Sequence, residues 1–240
     1  MNSYANLEGK VVMVTGASSG LGEALAREFA RGGCNVYIAA RREEKLVALA
    51  QELELTMQTD QRAIPIKLDV TDNTQVVQAA HRMIKDYGRI DIWINNAGSE
   101  KPASVLDLSR EQLQEITAVN YFGLVYGTKA AAQQMVQQGY GDIVQILSTS
   151  AFTPRANEAA YCAAKAAAEM YSRCAQKELQ EHGIRVIPVK PGGMETNFAQ
   201  NAGLQMPKDA MSPEDVAELI VHAVSLPRNI APDLTLFRNG

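Results

Sequence analysis

The chain has 240 residues, 46% hydrophobic and 21% charged, with 23 Lys plus Arg against 27 Asp plus Glu and a net charge of −4. That mild acidity, without a basic run, argues against a nucleic-acid or anionic-membrane partner, and no apolar stretch reaches the roughly 18–20 residues of a membrane span. The three cysteines, Cys34, Cys162 and Cys174, are odd in number and form no CxxC pair, which argues against a disulfide framework or a cysteine-rich zinc site.

In chain order, short apolar runs alternate with longer amphipathic stretches. Val11 to Val14 is an apolar run that ends in a Gly-rich turn, and Leu21 to Phe29 reads as a helix. Val36 to Ala40 is a second strand and Glu43 to Leu55 a second helix. Ile64 to Val70 is a third strand despite Pro65. Thr71 to Tyr87 is helical, with Thr71 or Asp72 as N-cap. Ile90 to Ile94 is a fourth strand, ending in Asn95-Asn96-Ala97-Gly98. Ser109 opens a long helix to about Gln138, and Gln112 three residues on completes a capping box. Ile143 to Leu147 is a fifth strand. Ala159 to Glu181 is an Ala-rich helix, stopped by Gly183. Ile184 to Val189 is a sixth strand, Ser212-Pro213-Glu214 opens another helix, and Leu234 to Phe237 is a last short strand.

Strict β-α alternation implies a mainly parallel sheet with right-handed crossovers. Nearly continuous apolar strands are what burial on two faces requires. The expected fold is α/β: a single-domain, Rossmann-type, doubly wound, mainly parallel seven-stranded sheet flanked by helices over residues 1–240. Residues 191–211 are the least regular segment and are expected to form a substrate loop containing a short helix. The first residues, MNSYANLEGK, lack the basic-then-apolar pattern of a signal peptide, so a cytoplasmic protein is expected.

Two ends of the sheet carry chemistry. Thr15-Gly16-Ala17-Ser18-Ser19-Gly20-Leu21-Gly22 joins the first strand to the first helix. Without Cβ atoms such a turn lets backbone approach a pyrophosphate, and the helix N-terminus offers free N–H groups to it. The spacing is GxxxGxG rather than GxGxxG, and no Lys follows as in a P-loop. By itself it also fits a tight turn without a ligand. At the end of the second strand an NAD enzyme usually has Asp or Glu. Here stand Ala39-Ala40-Arg41-Arg42, and guanidinium groups match a 2′-phosphate, which favours NADP(H) over NAD(H). The alternative is a solvated helix start, with the arginines paired to Glu43 and Glu44.

At the other end, Tyr161 and Lys165 are four apart on the Ala-rich helix and share a face. A nearby ammonium favours phenolate and is expected to lower the Tyr161 pKa toward general acid/base use. Ser148, at the end of the fifth strand, emerges at the carboxyl edge where open α/β sheets bind ligands, and its hydroxyl can hold a substrate oxygen. It also fits a serine that only makes a local turn. His81, His182 and His222 are dispersed singles, and no metal site is expected.

The ordered set of Thr15 to Gly22, Asp69, Asn95 to Gly98, Asn120, Ser148, Tyr161 with Lys165, and Pro191-Gly192-Gly193-Met194-Glu195-Thr196 resembles the short-chain dehydrogenase/reductase family over nearly the whole chain, from about Gly9 to the last strand. The resemblance implies a hydride-transferring oxidoreductase with Asn120, Ser148, Tyr161 and Lys165 as its catalytic set. It implies a cofactor site of Gly16, Ser18, Ser19, Gly20, Leu21 and Gly22 at the pyrophosphate, and of Arg41 with Arg42 at the 2′-phosphate. Asp69 and Val70 would flank the adenine, and Asn95 would support the adenosine ribose. Ala97 and Gly98 would let the nicotinamide half pass. Lys165 and Tyr161 would sit at the nicotinamide ribose, Pro191 and Gly192 along the ring, and Thr196 at the carboxamide. Asn120 would hold a water in a proton relay to Lys165. A homodimer or homotetramer is implied, with helices 109–138 and 159–182 as its faces.

The chain departs from the family pattern at Ala164, where Ser is common, and at Ser19, where some NADP-preferring members are basic. Its end at Gly240 also lacks the glycine-rich strand of some acyl-carrier reductases. The substrate, a small carbonyl or alcohol, is expected between Ser99 to Ser104, Ala151 to Arg155 and Met194 to Met211, with Phe152, Phe198 and the methionines as an adaptable apolar lining. Arg155 fits either an acidic substrate or a solvent-facing position. Sugar, steroid, short ketone and diketone substrates all fit. The rival to an enzyme is a catalytically idle dinucleotide-binding sensor or scaffold; an isomerase or dehydratase on the same scaffold would be longer.

Overall fold

All five residues of the first strand, β1 (Val11–Thr15), are buried. Successive side chains of a strand point to opposite faces. Val12 and Val14 accordingly enter one core and Val11 and Met13 the other. The run is apolar without alternation because both faces of the sheet are covered. The computed structural model describes residues 6–58, 60–196, 198, 203 and 209–237.

After β1 come α1 (Gly20–Arg31), β2 (Asn35–Ala40), α2 (Glu43–Glu54), β3 (Ala63–Lys67), α3 (Asn73–Tyr87) and β4 (Ile92–Asn95). The second half holds α4 (Arg110–Thr117), α5 (Gly123–Gln138), β5 (Gly141–Ile146), α6 (Ala159–Gln180), β6 (Ile184–Pro191), α7 (Pro213–Ser225) and β7 (Leu234–Leu236). The seven strands form one sheet in the order β3-β2-β1-β4-β5-β6-β7, and every pairing is parallel. Residues of α1, α2 and α7 fill the core on one face; residues of α3, α5 and α6 fill it on the other. The strand order reverses between β1 and β4, and a crevice opens at the carboxyl ends of the strands on either side of such a switch point.

Three expectations change. The third strand ends at Lys67 rather than Val70. Leu68 still donates to Ala40 O (2.9 Å), but the Asp69 carboxylate then accepts from Thr71 N (2.9 Å) and bends the chain into a turn. Pro65 is tolerated because β3 is an edge strand. The helix expected to run unbroken from Ser109 to Gln138 is interrupted by a π turn at Ala118–Phe122. Its start follows the sequence closely, since Ser109 and Gln112 form the reciprocal capping box. The sixth strand runs two residues further, to Pro191.

The segment after β6 is closed at its base by a bridge between Met194 and Met211, with Glu195 N donating to Met211 O (2.8 Å) and Met211 N to Gly193 O (3.0 Å). The short helix expected within 191–211 falls mainly on residues outside those described. Among the described residues no helix is long and apolar enough to cross a membrane.

Candidate active site

The β1–α1 turn is shaped by close contact. Gly16 has φ +69°, and a Cβ there would lie 2.9 Å from Ala97 Cα. A Cβ on Gly22 would lie 2.3 Å from the Gly16 carbonyl oxygen, so the first turn of α1 can pack on the loop only with glycine at that position. Thr15 and Asn96 lock the loop to β4: Asn96 Nδ2 donates to Thr15 O (2.8 Å), and Asn96 N donates to Thr15 Oγ1 (3.0 Å).

Ser19 is the N-cap of α1, yet its side chain makes no cap hydrogen bond. Its hydroxyl accepts instead from Arg42 Nη2 (2.9 Å), and Ser18 Oγ accepts from the same guanidinium (2.8 Å). The first N–H groups of α1 therefore have no side-chain acceptor, the arrangement that suits an anion at a helix N-terminus. Arg41 lines the same cleft and, among the described residues, has no ion pair. Glu43 is within ion-pair distance of Lys67 (3.8 Å), so the arginines are not tied up by the acids that follow them. The residues present thus fit a dinucleotide.

One cleft of about 630 Å³ runs along the switch point. It brings together Gly16, Ser18, Ser19, Gly20, Leu21, Gly22, Arg41, Arg42, Asp69, Val70, Ala97 and Gly98 with Ser148, Tyr161, Lys165, Pro191, Gly192 and Thr196. Two residues of the expected set stand behind its walls. The Asn95 side chain is buried below the floor: its Oδ1 accepts from Trp93 Nε1 (2.9 Å), and its Nδ2 donates to Gln145 Oε1 (2.9 Å) and Thr128 Oγ1 (3.1 Å). Both Nδ2 hydrogens are spent in that network, and Oδ1 is engaged there too. Asn96, which the sequence analysis passed over, lines the cleft instead.

Asn120 lies in the π turn and is 1% exposed. Its Nδ2 donates to Ser99 O (2.7 Å) and to Ile116 O (2.9 Å). The wider turn slackens the helical ladder, and the side-chain amide takes up a carbonyl of the preceding turn. π turns of this kind concentrate at functional sites. Nothing in the sequence marks the turn except an Asn in the middle of a helix.

Ser148 lies two residues past β5 and caps the short 3₁₀ turn at Thr149–Ala151, its Oγ accepting from Ser150 N (3.1 Å). The local-turn role and the cleft position therefore coexist, with Ser148 and Tyr161 lining the same cleft. Tyr161 and Lys165 are 8% and 4% exposed. Lys165 Nζ donates to Ile146 O (3.0 Å) and lies 5.7 Å from the centre of the Tyr161 ring. Burial lowers the Lys165 pKa to about 8.

Here the sequence expectation is corrected. The Tyr161 pKa is raised, by burial first and by the Glu100 charge second, against a smaller lowering by the Ser148 hydroxyl. Lys165 does not offset this, because the Ile146 carbonyl holds its ammonium and the group approaches the ring. The phenol is thus kept as a neutral proton donor.

Of the expected substrate wall, Ser99, Arg155, Met194 and Phe198 line the cleft, and the Phe198 ring lies 5.9 Å from that of Tyr161. Phe152 is 52% exposed and packs edge-on against Phe237 (6.4 Å) instead. Glu100, within the expected Ser99 to Ser104 wall, lines the cleft as well, and so does Glu158, which lies outside the expected segments. Arg155 lines the cleft, is exposed to solvent and lies 4.0 Å from Glu158. No group of three or more His, Cys, Asp or Glu side chains able to hold a metal ion occurs among the described residues.

Comparison with known proteins agrees with this geometry. The family model described as short chain dehydrogenase matches residues 10–207. An uncharacterized oxidoreductase from Staphylococcus epidermidis is 29% identical, over 94% of this chain and 95% of that one. A Drosophila melanogaster protein named dehydrogenase/reductase SDR family protein 7-like is 35% identical, over 91% of this chain and 70% of that one. Among solved structures, an alcohol dehydrogenase from the archaeon Thermococcus sibiricus, complexed with 5-hydroxy-NADP, superposes with a TM-score of 0.87 at 27% identity, covering 96% of this chain and 97% of that one. A short-chain type dehydrogenase/reductase from Mycobacterium marinum gives 0.85 at 31% identity, covering 96% and 94%. With a family model spanning most of its length, the chain belongs to the short-chain dehydrogenase family, whose members are oxidoreductases that bind a nicotinamide dinucleotide.

Proposed function

We propose that the protein is an NADP(H)-dependent oxidoreductase that reduces a carbonyl to an alcohol, or runs the reverse, with Tyr161 as its general acid/base. The observation that carries this is the meeting of Ser148, Tyr161 and Lys165 in one cleft with the β1–α1 turn. When bound, the nicotinamide dinucleotide supplies the hydride or takes it. Everything else is done by the chain.

Arg41, with Arg42 bracing Ser18 and Ser19, receives the adenosine 2′-phosphate. The relative complexed with 5-hydroxy-NADP supports the same cofactor choice here. Gly16 to Gly22 carry the pyrophosphate, Asp69 and Val70 border the adenine, and Thr196 with Pro191 and Gly192 borders the nicotinamide end. Asn95 takes a positioning role, fixing the end of β4 from beneath.

Ser148 and Tyr161 hold the substrate oxygen between two hydroxyls. The buried phenol is the proton donor as negative charge develops on that oxygen. Lys165, with a pKa of about 8, passes a proton on near neutral pH. Asn120 holds the relay water on its Oδ1, which accepts only a long contact from Ser99 N (3.4 Å).

The same unit carries cofactor and substrate, so residues 1–240 act as one domain. Three free thiols, Cys34, Cys162 and Cys174, support a place in the reducing cytoplasm. Exposed Phe122 on the π turn, stacked on Tyr126 of α5, and exposed Met170 on α6 support pairing of two copies through these helices.

The test is label transfer. The protein is given NADPH carrying deuterium at C4 and a panel of aldehydes and ketones. An alcohol bearing deuterium on the former carbonyl carbon is expected. A folded protein that binds NADPH but labels no product with any carbonyl would be the idle sensor or scaffold.

A further inference from the structure

The substrate end of the cleft holds an electrostatic arrangement that carbonyl reduction by itself does not require. Glu100 follows the Asn95–Gly98 stretch, and Glu158 directly precedes α6. Both line the cleft wall with Tyr161, and the Glu158 charge bears on Glu100. Two carboxylates so placed repel one another unless a proton or a cation lies between them.

The neighbouring cations are already engaged. Arg155 lies 4.0 Å from Glu158, Lys101 pairs with Glu115 (2.5 Å), and Lys165 is held by the Ile146 carbonyl (3.0 Å). Glu100 has no ion pair among the described residues. Its Oε1 is buried without a hydrogen-bond donor there, and the adjacent Ser99 hydroxyl is likewise buried and unpartnered. Buried polar atoms left in this way are costly unless something meets them. Both Ser99 and Glu100 line the cleft.

We infer that Glu100, with Glu158, is the specificity element of this site and binds a protonated amine carried by the substrate, so that the reacting compound is an amino ketone or amino alcohol held by its oxygen at Ser148 and Tyr161 and by its ammonium at the two carboxylates. The inference rests on the carbonyl-reductase reading above for the oxygen end only. An ammonium is a donor without acceptor character, so it satisfies Glu100 Oε1 and neutralises the excess negative charge of the pair. It also removes a penalty from the chemistry: the Glu100 charge disfavours ionisation of Tyr161, and a cation placed at Glu100 offsets it. Burial and the Glu158 charge hold the Glu100 pKa at about 7, so arrival of the ammonium displaces a proton from the pair at neutral pH.

The experiment is calorimetric titration at pH 7, with and without NADP⁺, using 2-amino-1-phenylethanol and its neutral counterpart 1-phenylpropan-1-ol. The amine is expected to bind about tenfold more tightly, the factor one charge-assisted hydrogen bond supplies. Its binding should release protons, read as a dependence of the heat on buffer ionisation enthalpy. Glu100→Gln should bring the two affinities within about threefold and abolish the proton release. Glu158→Gln, which keeps Glu100, should retain part of the preference; thermal melts of both variants establish that they fold. Equal or weaker binding of the amine by the folded wild-type protein, or a preference that survives Glu100→Gln, would overturn the inference. Failure of the reductase reading shows separately, as absence of label transfer to a neutral ketone.

Discussion

The two halves of the cleft are built by different means. At the β1–α1 turn, specificity comes from backbone: glycines admit close approach, Asn96 and Thr15 pin the loop, and Arg42 braces the two serines. At the Tyr161 end it comes from side chains brought in by separate segments: Ser148 from the turn after β5, Tyr161 and Lys165 from α6, Glu100 from the loop after β4 and Glu158 from the residue before α6. A backbone cradle depends on shape and tolerates little added volume. A side-chain constellation depends on charge and proton position, so it responds to pH and to isosteric substitution.

Several substitutions can break or sharpen that contrast. The largest effect is expected from Tyr161→Phe, which removes only the phenol oxygen. Turnover should fall by about 10²–10⁴-fold, with NADPH affinity, measured by nicotinamide fluorescence, changed little. Normal turnover would dismiss Tyr161 as the proton donor. Gly22→Ala should strike the other half by shape alone. Its Cβ would lie 2.3 Å from Gly16 O and 2.5 Å from Asn96 Nδ2. Urea unfolding should show a loss of about 3 kcal/mol, together with weaker dinucleotide binding; a variant as stable as the wild type would mean that the turn relaxes freely.

Asn95→Leu addresses the residue lying between the halves. It strips partners from Trp93 Nε1 and Gln145 Oε1 and should cost about 1–2 kcal/mol in the same unfolding measurement. NADPH affinity should hold, and a tenfold loss would restore Asn95 as a direct ribose contact. The smallest effect is a pH slope. Glu100 has a folded pKa of about 7 against 4.5 for a free side chain, so the folded state binds the extra proton between those values. Its contribution to stability is therefore complete at acid pH and is lost as pH rises from about 4.5 to 7. Glu100→Gln should flatten the stability profile in that window; an unchanged slope would place the titration elsewhere.

The contrast also explains what could be read from sequence. The strand order and the turn follow from local patterns, because two-sided burial writes itself into continuous apolar runs and close approach into glycine spacing. Ser148, Tyr161 and Lys165 were found because their spacings are fixed by one strand end and one helix face. Glu100 fell within an expected wall, but its meeting with Glu158 was not legible, since nothing local marks two acids that come together only after the sheet has assembled. The direction of the Tyr161 shift was missed for a related reason: the i, i+4 spacing places Lys165 on the right face but says nothing of the Ile146 carbonyl that holds its ammonium or of the burial that dominates. The π turn at Asn120 is invisible because helix propensity does not distinguish one hydrogen-bond register from another.

The central claim is that one cleft joins a phosphate-reading backbone cradle to a proton-donating tyrosine. Its most direct test is titration of the wild-type protein and of Arg41→Ala with NADPH and NADH in parallel. The account predicts that the wild type binds NADPH about tenfold or more tightly than NADH, and that Arg41→Ala loses this preference while NADH binding stays the same. Equal affinities in the wild type would contradict the role given to Arg41, and failure of the folded protein to bind either dinucleotide would contradict the account as a whole.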